Sequence, residues 1–305
     1  MALFLDILTR VTLPIIGLAA LGYLCQPWLK LDIGTLTRLQ VNIVMPAFLV
    51  HSLSAGKQPL DIVWLVATLG VVQFLILVAL GWTLVRVMRL RSSLGPIMGL
   101  GAAYANVGFF GIPVTQLAFG QEYLLHQSVL TATVTILVCT VGVWLLAPNA
   151  GGMAGKLRLA LASPLIPSVA IGLTLRYFAI ELPPIASQPL QLLGSIFTPL
   201  AIYTLGAQIS AARSLRFELL PQSLILFLKL AIAPVLTFYL CKAMGVPPDV
   251  TQVMMVAAAT PVGVLVTIFA AELKAEPEFI ATATVITTAL SPLTVTAWII
   301  AARLW

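Results

Sequence analysis

Residues 101–114 read G-A-A-Y-A-N-V-G-F-F-G-I-P-V. The stretch is apolar enough to lie inside a bilayer, yet it carries Gly101, Gly108, Gly111 and Pro113 where a spanning helix should continue. Pro113 donates no backbone hydrogen bond and disfavours helix at Ile112. Within hydrocarbon every backbone N–H and C=O must be satisfied by the protein itself. A broken segment at that depth therefore needs a partner. One exists at 259–265, A-T-P-V-G-V-L, again apolar and again interrupted. A matched pair of Gly/Pro-interrupted segments is the best sequence pointer to a midplane binding site.

The rest of the chain fits that setting. Its 305 residues are 60% hydrophobic and 9% charged, with a mean hydropathy of +1.08. Soluble domains carry about 45–50% apolar and about 25% charged residues. The composition argues against a water-soluble enzyme, disorder and nucleic-acid binding. A spanning helix needs about 20 residues, and ten spans fit: 8–26, 36–54, 61–85, 94–119, 124–147, 162–180, 187–208, 219–242, 250–271 and 279–302. Long apolar runs are the wrong pattern for a β-barrel. The first span has no basic n-region and no A-x-A site after it, so it is expected to stay in the mature chain. Cys25, Cys139 and Cys241 all sit in apolar runs and form no disulfide framework.

Charge sets the orientation. Lys30, Arg38, Arg86, Arg89, Arg91, Lys156, Arg158, Arg213, Arg216 and Lys274 lie on odd-numbered connections, against Arg10, Lys57, Arg176, Lys242 and Arg303 on the other side. The positive-inside rule puts the odd connections in the cytoplasm and both termini outside. Residues 1–147 and 162–305 form two five-span halves joined by a Gly-rich cytoplasmic linker, 148–161. A shift of 153 superposes Pro14 and Pro46 on Pro167 and Pro199, and Thr131 and Thr135 on Thr284 and Thr288. An odd number of spans per half makes the repeat inverted, as in many secondary transporters.

A broken helix exposes N–H donors and the positive end of a dipole, which suits an anion. Asn106 and Gly108 sit at the first break, with Thr260, Pro261 and Gly263 at the second. Thr131 and Thr135 share a helical face; they either line a cavity or bond back to their own helix. Lys229 is charged at mid-span, at an insertion cost of roughly 2.5–3.5 kcal/mol. It either balances a substrate carboxylate, holds a broken-helix carbonyl, or snorkels to the surface. No Asp or Glu lies deep in a span, which argues against a carboxylate proton relay. His51, near the outer end of the second span, stands as the only histidine close to the membrane core and is a candidate proton or hydrogen-bonding site. No Walker A, H-E-x-x-H, G-x-S-x-G or C-x-x-C motif appears, so no enzyme activity, cofactor or metal is expected.

The run N-V-G-F-F-G-I-P at 106–113 resembles the signature of the auxin efflux carrier family, which includes plant PIN carriers and bacterial malonate and malate permeases. M-P-A-F-L-V-H at 45–51, S-I-F-T-P-L-A-I-Y-T-L-G at 195–206, K-L-A-I-A-P at 229–234 and the run 259–273 extend the likeness over nearly the whole chain. The resemblance implies an all-α fold of ten helices similar to the bile-acid/sodium symporters. Spans one, two, six and seven would form a scaffold, often dimeric; spans three to five and eight to ten would form a mobile transport domain, with spans four and nine crossing. It assigns Asn106 and Pro113 to the family's binding asparagine and crossing proline, and Lys229 to a basic residue common in that span. The chain departs from the plant pattern at Val266, where a second crossing proline would fall, at Leu49, and in lacking the long cytoplasmic loop. Val264 and Leu265 replace the asparagine that many bacterial members carry. These departures argue against auxin itself.

The expectation is thus a secondary transporter in the inner membrane, a homodimer moving a small organic carboxylate by an elevator mechanism. The alternatives are a Na+- or H+-coupled symporter of another organic solute and a membrane sensor that does not translocate.

Overall fold

A computed structural model describes residues 2–55, 60–146, 164–211 and 217–304. Among these the chain is helical, and the one extended pairing is a single bridge treated below. Among the described residues, seven helices are long and apolar enough to cross a membrane: α1 (Leu5–Leu29), α2 (Ile33–Ala55), α3 (Asp61–Val87), α6 (Gln121–Leu146), α8 (Pro184–Ala211), α9 (Leu219–Met244) and α12 (Pro277–Leu304). Shorter helices lie between them: α4 (Leu94–Ala103), α5 (Val107–Ala118), α7 (Leu165–Tyr177), α10 (Pro248–Ala258) and α11 (Val264–Glu272). The expected fourth and ninth spans are therefore each two helices, α4 with α5 and α10 with α11. The expected linker 148–161, the start of the sixth span, and the basic residues Lys57, Lys156, Arg158, Arg213 and Arg216 lie outside the described residues.

Four of the five π-turns among the described residues precede a proline, the exception being Val138–Gly142. Wide π-turns occupy Leu8–Thr12, Gln40–Val44, Val107–Gly111 and Leu228–Ile232, and each ends two residues before a proline: Pro14, Pro46, Pro113 and Pro234. A proline ring clashes with the carbonyl four residues back, and widening the preceding turn relieves the clash. Freed carbonyls then need donors. The Trp298 indole supplies one to Leu230 O at 2.8 Å. Pro167 and Pro199 instead sit in first turns, after the start of α7 and after a turn at Ile196 within α8.

The helices pack in two groups. The 197–211 half of α8 lies along α1, while α7 and the 184–195 half of α8 cover the 45–55 half of α2. Gly22 and Gly206 set the α1–α8 spacing, because a Cβ on either would strike a backbone carbonyl, Tyr203 O or Ala19 O respectively. In the second group, α3 packs on α4, α6 and α9, α9 on α10, and α12 on α10 and α11. Arg91 ties three connections of that group together, reaching Glu218 at 2.9 Å and Glu276 at 2.8 Å. Those hydrogen bonds, Glu218 first, push the Arg91 guanidinium above its usual range. Asp32 starts α2 by accepting from Thr35 Oγ1 at 2.6 Å and from the Gly34 N–H at 3.0 Å. Hydrogen bonds from Thr35 and then Gly34 hold its carboxyl below the ordinary value.

Candidate functional site

Helix α4 ends at Ala103 and α5 begins at Val107; α10 ends at Ala258 and α11 begins at Val264. The two gaps meet. Ala105 and Val262 form an antiparallel bridge in which Asn106 N–H donates to Pro261 O at 2.7 Å and Gly263 N–H donates to Tyr104 O at 2.9 Å. Each break supplies one donor and one acceptor, so each satisfies backbone groups that the other would leave bare. Gly263 is required for this approach, because a Cβ there would run into the Tyr104 ring. The Tyr104 hydroxyl lies 3.4 Å from Thr135 Oγ1.

Neighbouring helices complete each break. At the first, Val107 O accepts from Gln127 Nε2 at 2.7 Å and from Thr131 Oγ1 at 3.3 Å. Thr131 also bonds back to Gln127 O at 2.7 Å, one of the two roles foreseen for it. At the second, Lys229 Nζ donates to Ala258 O at 2.9 Å, Val262 N–H donates to Thr287 Oγ1 at 3.1 Å, and the Thr260 hydroxyl donates to Ala257 O at 2.7 Å. Lys229 has no exposed surface and does not snorkel; it holds the last carbonyl of α10.

One side-chain donor at the crossing has no acceptor. Asn106 is 3% exposed and its Nδ2 is unpartnered. Leaving such a donor bare costs about 1–3 kcal/mol. Next to it are the amides of Gly108 and Phe109, in the first turn of α5. A helix cannot satisfy its own first-turn donors, and its dipole is positive there. The first break thus gathers the Asn106 amide and the first amides of α5 in one place.

A family model described as "Membrane transport protein" matches residues 7–156 and 153–299. The chain belongs to the auxin efflux carrier family. It is a multi-pass membrane protein of a transporter family. No protein in a comparison with curated sequences matches it.

In this carrier-family chain the sequence candidates divide cleanly. Asn106, Gly108, Thr131, Thr135, Thr260, Pro261 and Gly263 converge on the crossing, with Lys229 at its edge through Ala258. Pro113 is buried in α5, past the π-turn that follows Asn106. Gly108 leaves room for Met45 of α2, whose Cε would lie 2.9 Å from a Cβ placed there.

His51 lies elsewhere. It lines a cavity of about 490 Å³ between α2 and α8 on one side and α5 and α6 on the other. That volume falls in the range of small-molecule pockets, and Ser52, Gln116, Gln121, Glu122 and Gln191 give it a polar wall. At its inner end Phe48 stacks on Phe197 at 5.4 Å, and Phe197 meets Phe109 at 5.8 Å. This aromatic pile joins side chains of α2, α8 and α5 beside the cavity.

His51 is half-buried and His126 is 1% exposed, so His126 is the histidine enclosed by the protein. One expectation needs correction. The 153-residue shift does not describe the breaks. Exchanging the two bridge partners relates Tyr104 to Pro261 and Asn106 to Gly263, a shift of 157 residues obtained from the paired positions. Asn106 thus corresponds to Gly263, not to Ala259. The sequence reading also missed Gln127 and Thr287. Gln127 had a signal: it lies one turn before Thr131 on the same face.

Proposed function

We propose that this protein is a secondary transporter that moves a small organic carboxylate across the cytoplasmic membrane. The observation that carries the reading is the buried, unpartnered Nδ2 of Asn106 beside the first-turn amides of α5. Clustered donors at a helix start recognise an anion, and a carboxylate accepts several hydrogen bonds at once. Gly108 keeps that approach free of a side chain, Thr131 and Thr135 wall it, and the Pro261–Gly263 strand backs it. Lys229 fixes the second break and acts on substrate only through the shape it maintains.

The packing supports a two-body mechanism. Helices α1, α2, α7 and α8 form the scaffold, through which two copies would pair, and α3–α6 with α9–α12 form the moving body. The crossing lies wholly in the moving body, and the 490 Å³ cavity lies in the seam. An elevator displacement would carry the site past Phe48 and Phe197. Joining α4 to α5 and α10 to α11 gives ten spans in two inverted halves, with the odd connections cytoplasmic and both termini outside.

The test is uptake of radiolabelled malonate, malate and indole-acetate into liposomes holding the pure protein, with sodium, pH and voltage set separately. Saturable uptake of at least one acid, lost in Asn106→Ala, is expected, and the gradient that drives it identifies the coupling ion. Uptake of none under any gradient would refute the reading.

A further inference from the structure

A second cavity, of about 390 Å³, lies where the two helix groups meet. Helices α2 and α7 of one group and α3 and α6 of the other supply its walls. Leu53, Val63, Ala67, Val129, Ile136 and Leu173 give it an apolar lining. The Thr133 hydroxyl is turned back to Val129 O of its own helix, at 2.9 Å. Among the described residues, no charged side chain lines it. An organic anion would find no ionic partner there, and water would gain too few hydrogen bonds to enter. Left empty, a space of that size forfeits dispersion contacts on every side chain around it. The bilayer around a membrane protein supplies hydrocarbon to fill it.

The shape and rim of this groove fit an acyl chain. Along α7 the lining runs from Val169 to Phe178, about 13 Å of helix, so the groove follows the helix axes. At one end stand Trp64, near the start of α3, and Tyr177 and Phe178, at the end of α7. All three are exposed. Trp and Tyr favour the headgroup level of a bilayer.

A polar cavity of about 530 Å³ adjoins that end. From α7 onward its lining runs from Leu175 to Leu182, overlapping the groove and continuing past it. Consecutive residues divide between the two. Leu53 and Tyr177 line the groove, while Ser54 and Arg176 line the polar cavity. Arg176 and Glu181 give the polar cavity one cation and one anion, and His51 and Ser54 add hydrogen-bonding groups. A guanidinium suits a phosphate, and a carboxylate suits an ammonium.

We propose that the two cavities together hold one phospholipid, with an acyl chain in the apolar groove, its phosphate at Arg176 and an ammonium headgroup at Glu181. The groove has walls from both helix groups, so its occupant touches both. On the two-body reading above, a displacement reshapes the groove, and lipid binding and displacement are linked.

The probe is phosphatidylethanolamine with a photoactivatable diazirine in its acyl chain, titrated into phosphatidylglycerol nanodiscs that hold the full-length protein. Labelled residues are mapped by mass spectrometry. Labelling should saturate, concentrate on Ala132, Ile136 and Leu173, and be displaced by unlabelled phosphatidylethanolamine. Leu24 and Leu293, exposed on other helices, should label weakly and without saturation. Ala67→Phe, which fills the groove, should lower groove labelling at least fivefold. Arg176→Gln and Glu181→Gln should each raise the half-saturating lipid fraction by about threefold. Labelling that rises without saturation, or that falls equally on Leu24, Leu293 and the groove, would overturn the proposal. Groove labelling unchanged in Ala67→Phe would do the same, and the wild-type map decides should that variant fail to fold. Saturable groove labelling together with no flux of any acid in liposomes would keep the lipid site and refute the transport reading.

Discussion

The two breaks share one bridge but are finished differently. At the second, side chains reach three backbone groups: Lys229 on Ala258 O, Thr287 on Val262 N–H, and Thr260 on Ala257 O. At the first, Gln127 and Thr131 satisfy the carbonyl of Val107, while the Asn106 amide is left bare. The π-turn after Asn106 adds a further difference, because Asn106 O takes both the Phe110 and Gly111 amides, at 3.1 and 2.9 Å. On the function proposed above, the second break is a support and the first holds donors for a ligand. Substitutions at the first should therefore change flux, and those at the second should change stability.

The largest expected effect is that of Asn106→Ala. Losing a hydrogen bond to a charged ligand removes about 1.5–3 kcal/mol, so saturable uptake should fall by about 10-fold to more than 100-fold. The melting temperature should hold or rise, because a bare buried donor has been deleted. A large drop in melting temperature would make Asn106 structural and erase the contrast. Lys229→Met comes next. It strands Ala258 O inside the protein, at about 1–3 kcal/mol of stability, which a thermal melt in detergent reads as a fall of several degrees. Its KM for whichever acid is carried should stay within about threefold, since under 1 kcal/mol of binding would be lost. A KM rise as large as that of Asn106→Ala would instead put the lysine on the substrate. Thr287→Val sharpens the same point at smaller scale. It removes the acceptor of Val262 N–H and should cost about 1 kcal/mol, again in stability and not in flux. Arg91→Gln should do least. The clamp is solvent-exposed, with 42% of the Arg91 side chain accessible, so its loss should cost under about 1 kcal/mol. The difference from wild type should shrink further in 1 M salt.

Much of this arrangement was legible in the sequence. Apolar runs located the helices because bilayer thickness fixes their length. Pro113, Gly108, Pro261 and Gly263 marked the breaks because they cannot continue a helix in hydrocarbon without repair. Asn106 stood out as the one amide beside them. The bridge register was not legible, because a backbone pairing between Ala105 and Val262 leaves no mark on side chains. The 153-residue shift, anchored on prolines in the first two spans of each half, therefore missed it by four positions. The role of Lys229 was also open. Pattern alone places it at mid-span, and only the position of Ala258 O decides between a carbonyl and the surface. His126 escaped notice because the short turn Gln121–Tyr123 and the start of α10 bury a residue that sequence position puts at the membrane edge.

The contrast between the breaks is best tested by carrying Asn106→Ala and Lys229→Met through the same pair of assays, liposome uptake of the acid carried by the wild type and thermal melting in detergent. The expected result is a crossover: Asn106→Ala loses uptake at full stability, and Lys229→Met loses stability while its folded fraction still transports with a near-normal KM. The contradicting result is the reverse, with Asn106→Ala unstable but active once folded, or Lys229→Met stable and inactive.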